Sequence, residues 1–256
     1  MRAGHDRPYP DRAGVRGRCY VLTRPRHLEL FAGGCGSAWG WVMAGFDVVA
    51  IDNHRRLHLP ESEHLTFIKA DAVKVLLDIA YLRTFESLGG GPPCQTHTRA
   101  KHLRDAQGKQ TDKIDLIPET RAGFEQSGRP YVIENVPEAP LRHDLLLCGS
   151  MFPELRVHDD TGQRWLRRHR VFETNVSLSA PGPCDHRGAG VRALGIYGSK
   201  ADNVPSGGQT ARTLDEGRAL MGNDWMSWSA LVESVPWRYT EFIGAQLVTH
   251  LQERAT

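Results

Sequence analysis

A cysteine that directly follows two prolines is the first residue whose type and setting suit chemistry. Cys94 lies in the segment Gly89-Gly-Gly-Pro-Pro-Cys-Gln95, and residues 96–113 after it are rich in arginine and lysine. Two consecutive prolines fix the backbone just ahead of the thiol. A cysteine held at a strand end, beside basic residues, is placed to act as a thiolate nucleophile. An inert buried thiol is the alternative that this segment alone leaves open.

A second candidate is an acid that comes directly off an apolar strand. Glu134 lies in Tyr131-Val-Ile-Glu-Asn-Val-Pro137. A carboxylate at such a place is half-buried, which raises its pKa and suits it to share a proton with a base ring. The alternative is a structural acid that caps the next segment.

Two alternating arginines form a third candidate, in the segment Arg167-Arg-His-Arg-Val-Phe172. If this segment is a strand, Arg168 and Arg170 point to one face. Planar guanidinium groups suit phosphate and carbonyl oxygens. A solvated basic edge strand is the alternative.

A glycine-rich turn and two acids suggest a ligand site at the ends of successive strands. The segment Leu28-Glu-Leu-Phe-Ala-Gly-Gly-Cys-Gly36 lets the backbone turn sharply after a buried strand and approach a ligand closely. Asp52 follows about twenty residues later, where an acid binds ribose hydroxyls in nucleoside-binding folds. Asp71 ends the next strand and could meet an adenine amino group. Taken singly, the glycines suit a structural turn and each acid a simple cap.

The elements that position these residues are predicted from apolar periodicity. Strands alternating with helices predict an α/β fold with a parallel sheet covered on both faces. The first unit, a strand followed by a glycine-rich turn and a helix, begins a Rossmann-like half. We predict strands over 27–31, 47–51, 65–69, 87–90 and 130–134, and helices over 37–44, 73–82, 114–127, 214–221 and 241–251.

Local composition and charge divide the chain into four parts. Residues 1–26 hold seven arginines against Asp6 and Asp11 and are predicted to be a basic, flexible arm. Like residues 96–113, this arm suits phosphate contacts, although charge alone equally fits a solvated tail or loop. The other parts are a core over 27–172, a small region rich in Gly, Pro and Ser over 173–208, and a segment over 209–256 that returns to the core.

Composition excludes several classes of protein. The 256 residues are 40% hydrophobic and 24% charged, which is typical of a globular protein. No apolar run approaches the roughly 20 residues needed to cross a bilayer, and no signal-peptide core is present, so we expect a cytoplasmic protein without a membrane partner. Five cysteines without a CxxC pair indicate reduced thiols and no metal site.

Taken together and in this order, these segments resemble the DNA (cytosine-5)-methyltransferase family. The resemblance runs from about residue 27 to 251, and its most specific part is the pair Pro92-Pro-Cys-Gln95 and Glu134-Asn-Val136. The matched motifs also include Phe31-Ala-Gly-Gly-Cys-Gly36, Arg168-His-Arg170, the stretch from Ala211 to Gly222, and Tyr239-Thr-Glu-Phe-Ile-Gly244.

The resemblance implies a Rossmann-like class I fold that uses S-adenosylmethionine, with a very small target-recognition region over 173–208. Cys94, with Gln95 beside it, would add to C6 of a flipped cytosine, and Glu134 would hold N3 and the exocyclic amine. Arg170 would contact O2 of the base, and Arg168 a neighbouring phosphate or Glu134. Residues 96–113 would form a loop that closes over the nucleic acid.

The cofactor would be held by residues at successive strand ends. By resemblance, Phe31 would lie against the adenine, Asp52 on the ribose and Asp71 on the amino group. One departure concerns the last motif, where Ala245 follows Gly244 in place of the usual asparagine. The remaining cofactor-binding residues implied are Gly33, Gly34, Gly36, Asn53, Ala72, Pro93 and Ala245.

Double-stranded DNA is the expected substrate, read by a monomer over a short site of about two to four base pairs. The short spacing resembles compact phage enzymes. The alternatives are a tRNA cytosine-5 methyltransferase and a catalytically silent nucleic-acid-binding homologue. A nucleotide-binding dehydrogenase fits poorly, because the first turn lacks a clean GxGxxG motif and Pro-Pro-Cys-Gln has no role there.

Overall fold

A computed structural model of the chain describes residues 24–94, 114–159, 162–186, 192–198 and 210–254. Within these ranges the strands are β1 (Arg26–Leu30), β2 (Asp47–Asp52), β3 (Leu65–Lys69), β4 (Ser87–Gly90), β5 (Tyr131–Asn135), β6 (Leu145–Leu147), β7 (Arg156–Asp159), β8 (Gly162–Leu166), β9 (Arg170–Thr174) and β10 (Arg192–Leu194). The helices are α1 (Gly36–Met43), α2 (Ala72–Leu76), α3 (Ile79–Leu82), α4 (Ile117–Ser127), α5 (Leu214–Met221), α6 (Trp228–Glu233) and α7 (Trp237–Glu253), with a 3-10 helix over Gly149–Met151.

A seven-stranded sheet in the order β3-β2-β1-β4-β5-β9-β6 forms the centre of the fold. The five strands from β3 to β5 pair in parallel, whereas β9 pairs antiparallel with both β5 and β6. The order 3-2-1-4-5 is that of a Rossmann-like sheet, and it places a topological switch point between β1 and β4. The predicted α/β fold with a Rossmann-like parallel sheet is therefore confirmed.

The central strands are buried on both faces, as parallel strands covered by helices must be. All of β4 and all but the first residue of β1 are buried. The buried polar residues of β1 have hydrogen-bond partners on neighbouring elements of the core. His27 Nδ1 lies 2.8 Å from Ser87 Oγ, and Trp41 Nε1 donates to Glu29 Oε2 at 3.0 Å. Burial lowers the pKa of His27 and favours its neutral form.

The predicted elements differ from the observed ones mainly at their ends. Strands β3 and β4 and helix α5 have the predicted bounds. The helix predicted over 73–82 is two helices, because Asp78 accepts a bond from the Tyr81 N–H and starts α3. The helix predicted from 114 begins at Ile117, which Pro118 follows. The last helix begins at Trp237 instead of 241.

Contacts in the described residues cross the predicted boundaries between arm, core and small region. Residues 1–23 lie outside the described part, but Arg24 donates to the carbonyls of Val42 and Phe46, so the core begins before residue 27. A second sheet of order β10-β8-β7 combines Arg192–Leu194 with two strands that precede residue 173. The second sheet is therefore built from residues on both sides of residue 173, where the small region was predicted to begin.

The C-terminal segment completes the core by packing α7 against α1. Buried Tyr239 and Ile243 belong to the same apolar cluster as Trp41 of α1. A Cβ at Gly40 would overlap Thr240 Oγ1, whose hydroxyl donates to the Ser37 carbonyl at 2.8 Å. In the part of the chain described here, no helix is long and apolar enough to cross a membrane.

Candidate active site

A cavity of about 590 Å³ opens at the carboxyl ends of the parallel strands. This is the edge at which open α/β sheets bind ligands, beside the switch point between β1 and β4, and the volume is in the range of small-molecule sites. Most of the residues predicted for the site line it: Phe31, Gly33, Gly34, Gly36, Asp52, Asn53, Asp71, Ala72, Pro93, Cys94, Glu134 and Arg170.

The turn after β1 has an unusual backbone. Phe31 and Cys35 have φ of 59° and 61°, and Gly33 has φ of 52°. Left-handed φ is uncommon for residues with side chains and is maintained only where the surroundings enforce it. Here the Gly33 N–H donates to Asp52 Oδ2 at 2.9 Å, and the Cys35 N–H donates to the Ala32 carbonyl at 2.8 Å. The turn is thus fixed in shape at the cavity wall.

Gly36 is required by packing at the start of α1. A Cβ there would overlap Ser234 Oγ and would lie 2.7 Å from the Val235 carbonyl oxygen, which is backbone and cannot move aside easily. We expect Gly36→Ala to lower the free energy of unfolding by about 1–3 kcal/mol, the usual cost of overpacking. Urea denaturation measures this loss. Gly182→Ala is the matched control, because a Cβ at Gly182 meets nothing within 4 Å. Equal stability of the two variants would contradict the packing argument.

The two acids at the strand ends are caps and also line the cavity. Asp52 Oδ1 accepts a bond from the His54 N–H at 2.8 Å, in addition to the bond from Gly33. Asp71 caps α2 by accepting a bond from the Val73 N–H at 3.0 Å. A carboxylate has about four lone-pair sites, so each acid can accept further bonds from a ligand. Asp52 and Asp71 can therefore cap the backbone and bind a ligand at the same time.

Cys94 lies just beyond β4, half-buried at the cavity wall. Its loop is tied to the next strand, because Asn135 Nδ2 donates to the Pro92 carbonyl at 2.9 Å. Burial raises the pKa of the Cys94 thiol, and the charge of Glu134 raises it further, whereas Arg170 and Arg168 lower it. The charges opposite the thiol therefore influence how readily it ionises.

Glu134 and Arg170 form an ion pair at the cavity wall, with 2.7 Å between Glu134 Oε1 and Arg170 Nε. Burial raises the pKa of Glu134, while the neighbouring guanidinium groups act in the opposite direction. A Cβ at Gly91 would lie 3.0 Å from Glu134 Oε2, so the glycine lets the Cys94 loop pass close to this carboxylate. A proton on Glu134 would remove one negative charge near the thiol and leave Arg170 free to stabilise a thiolate.

Arg168 corrects one prediction. It lies in the loop before β9 and is buried, with 1% of its surface exposed. Its guanidinium donates to the carbonyls of Ser234 at 2.6 Å and Val232 at 2.7 Å, so it does not share a face with Arg170 and does not line the cavity. Because Ser234 is part of the cavity wall, Arg168 supports that wall, and its charge also acts on Glu134, the second partner that the resemblance implied.

Ala245, another predicted site residue, lies away from the cavity. It is exposed on α7 and does not line the cavity, while the adjacent Gly244 packs against Trp41 of α1. The C-terminal part of the chain instead contributes the end of α6 and the turn after it, which no motif in the sequence indicated. Gln95 and the predicted loop 96–113 lie outside the described residues. The lining residues that the sequence missed include Glu29, Arg56, Ala230, Glu233, Ser234 and Val235.

Arg56 and Glu233 join two distant parts of the chain at the cavity. The ion pair between them is 2.5 Å long, and both side chains are partly exposed. Arg56 follows β2, and Glu233 ends α6. One side of the cavity is therefore bounded by a contact between the segment after β2 and the end of α6.

Comparison with known proteins places the chain in a methyltransferase family. No family model matches the chain. A curated relative, the type II methyltransferase M.HgiGI of Herpetosiphon aurantiacus, is 30% identical over 95 residues, which cover 35% of this chain and 75% of the relative. The chain belongs to the type II methyltransferase family of which this relative is a member. This relative does not support the predicted resemblance to compact phage enzymes.

A solved structure also resembles the chain over most of its length. It is a DNMT2 mutant from Spodoptera frugiperda, 12% identical, and the match covers 89% of this chain and 99% of the other at a TM-score of 0.47. At that score the likeness carries no conclusion about substrate or site.

Proposed function

We propose that this methyltransferase transfers a methyl group from S-adenosylmethionine to C5 of a cytosine in DNA, with Cys94 as the nucleophile. The observation that carries the proposal is the common cavity. Cys94 and the Glu134–Arg170 pair line the same space as the glycine turn and the two capping acids. A nucleophile, a proton-sharing carboxylate and a nucleoside-binding edge therefore face one another.

The wall of the cavity fits an adenosyl cofactor. Asp52 and Asp71 offer acceptors for hydroxyl and amino groups, and Phe31 offers an aromatic ring, all beside a turn whose backbone comes close to the cavity. When bound, S-adenosylmethionine supplies an electrophilic methyl group on a positively charged sulfur. We assign Phe31, Asp52 and Asp71 to hold it, together with the glycines of the turn.

The side chains at the other end of the cavity supply the steps that make cytosine reactive. Carbon 5 of cytosine is unreactive until the Cys94 thiolate adds to C6, which moves the C5–C6 electron pair toward C5. Glu134 gives a proton to N3 and so neutralises the ring as the C6–sulfur bond forms. Once C5 carries the methyl group, the proton on C5 leaves to a base and the C6–sulfur bond breaks. The N3 proton then returns to Glu134, and the Cys94 thiolate is regenerated. Arg170 holds Glu134 and faces the oxygen of the ring.

The tRNA cytosine-5 enzymes share these motifs, so the choice of DNA rests on the compactness of the chain, and its test must include both substrates. Purified protein is given methyl-labelled cofactor with duplex DNA or with tRNA. In parallel, bisulfite sequencing of plasmid from expressing cells locates any methylated cytosine. We expect label in DNA and protected cytosines within one short sequence. Label in tRNA alone would mean that the protein is a tRNA cytosine-5 methyltransferase. If the protein binds the cofactor but labels neither substrate, a catalytically silent nucleic-acid-binding homologue is favoured.

Cofactor binding gives a separate prediction. We expect calorimetry to show S-adenosylhomocysteine binding without DNA, and Asp71→Ala to weaken it roughly 10- to 100-fold, the range for hydrogen bonds to a charged group. Asp78→Ala is the matched control, because Asp78 also caps a helix but does not line the cavity. Preferential binding of NAD, or equal loss of affinity in both variants, would contradict this assignment.

A further inference from the structure

Outside the cavity, two cysteines and two histidines converge at the junction of the two sheets. The side-chain donor atoms of Cys148, His169, Cys184 and His186 all lie within 4.8 Å of one another. Cys148 is buried between β6 and the 3-10 helix, and His169 directly precedes β9. Cys184 and His186 are exposed in the segment after β9. These four residues, here called the Cys2His2 cluster, have no role in the proposed methyl transfer.

Two of the distances within the cluster are those of neighbouring ligands around one ion. His169 Nε2 lies 3.4 Å from Cys184 Sγ, and His186 Nε2 lies 3.5 Å from Cys148 Sγ. In a tetrahedral site with Zn–S of about 2.3 Å and Zn–N of about 2.0–2.1 Å, neighbouring ligand atoms are roughly 3.3–3.8 Å apart. His186 Nε2 is closer to Cys184 Sγ, at 2.9 Å, and this exposed pair needs only to open slightly.

We propose that the Cys2His2 cluster binds a zinc ion in a tetrahedral, structural site. Thiolate and imidazole ligands select zinc over magnesium or calcium, which prefer oxygen. Four protein ligands leave no open position for water or substrate, so the site is structural and takes no part in chemistry. Two of the four ligands, Cys184 and His186, are exposed and give the ion a path of entry from solvent.

Groups around the cluster fit a role in orienting its ligands. The Trp165 ring packs on His186 with 5.0 Å between ring centroids, and Ser150 Oγ lies 3.7 Å from Cys184 Sγ. Such outer contacts fix the ligands of metal sites and tune their basicity. Trp165 belongs to β8 of the second sheet, so a metal here joins the small region to the central sheet.

The cluster also lies next to the catalytic arginine along the chain. Arg170 Nη1 donates to the backbone carbonyl of His169 at 2.8 Å. An ion that holds His169 therefore fixes the backbone from which Arg170 reaches the cavity. The sequence predicted no metal site because the ligands are far apart along the chain, with Cys148 and His186 separated by 38 residues, and only the fold brings them together.

The test measures metal directly. The full chain is purified without chelator, given zinc sulfate, desalted and analysed by elemental mass spectrometry, and about one zinc ion per chain is expected. Cys184→Ser and His186→Ala change exposed residues and should lose most of this zinc. His158→Ala, an exposed histidine on β7 outside the cluster, is the control and should keep it. Cobalt in place of zinc should give the visible absorption of a tetrahedral thiolate site in the control and not in the two variants.

A second measurement separates metal binding from general damage. Chelator should lower the melting temperature of the unsubstituted protein, and it should leave that of Cys184→Ser unchanged, because the variant has no metal to lose. Less than about a tenth of an equivalent of zinc in the folded protein would overturn the proposal. So would full zinc in both variants, or a Cys148–Cys184 disulfide found by peptide mass spectrometry in protein purified without oxidant. Each of these results is independent of methyl transfer.

Discussion

Replacing Cys94 with serine is expected to abolish methyl transfer while leaving the fold and cofactor binding nearly intact. Cys94 lies at the cavity wall in a loop held by the bond from Asn135 to the Pro92 carbonyl, and that bond does not involve the thiol. A serine hydroxyl is a far weaker nucleophile toward C6, because it is almost never ionised near neutral pH. Single-turnover transfer of labelled methyl groups measures the effect, and S-adenosylhomocysteine affinity and melting temperature measure the binding and the fold.

Covalent trapping tests the same assignment without relying on lost activity. In DNA that contains 5-fluorocytosine, the C5 substituent cannot leave as a proton, so the C6–sulfur bond persists after methylation. We expect the unsubstituted protein to form an adduct that survives denaturation. Cys19→Ser, a change in the predicted arm, should trap equally well. An adduct formed by Cys94→Ser would mean that the nucleophile is another residue.

Replacing Glu134 with glutamine is expected to reduce kcat by roughly 100-fold or more, the effect of losing a positioned acid. Burial raises the pKa of Glu134, so a proton is available there at lower cost than on an exposed acid. Protonated N3 makes the ring a better acceptor for the thiolate, so the carboxyl group helps the transition state more than the ground state. Glutamine keeps the shape and most hydrogen bonding but cannot supply the proton.

The competing view is that Glu134 only supports the wall of the cavity by pairing with Arg170. On that view the variant loses some stability and turns over nearly normally. Measuring kcat, DNA affinity and melting temperature on one preparation separates the two, and we expect DNA affinity to change much less than kcat. Glu119→Gln, at an exposed acid of α4, should behave as the unsubstituted protein. Near-normal turnover in folded Glu134→Gln would defeat the catalytic assignment.

The central sheet was predictable because its strands are short apolar runs bounded by glycine, proline and acids. Strand β4 is buried throughout, as expected of a central parallel strand, and it was recognised by its length and its flanking residues and not by alternation. Strands β6 and β10 are three residues each, too short to show a period, and β7 and β8 pair with each other in a sheet that the sequence did not indicate. Their positions depend on contacts with distant segments.

The candidate site was predictable where chemistry restricts residue type within a short motif. Cys94, Glu134 and Asp52 were placed by motifs of a few residues, and the fold brings them to one cavity. Arg168 was misassigned because sequence alternation cannot show that its strand begins two residues later, at Arg170. The role of the Ser234 segment in the wall follows from how α6 and α7 pack, which no local pattern records.

The contact between α1 and α7 also has a consequence for how the chain folds as it is made. The bond from Thr240 to Ser37 joins residues 203 positions apart. At 5–20 residues per second, the ribosome takes on the order of 10 to 40 s to synthesise the stretch between them. During that time the apolar face of α1 lacks its partner α7, so this face stays exposed to solvent. Folding of this domain is therefore a late event, completed only when α7 has left the ribosome, and contacts of such long range make it slow.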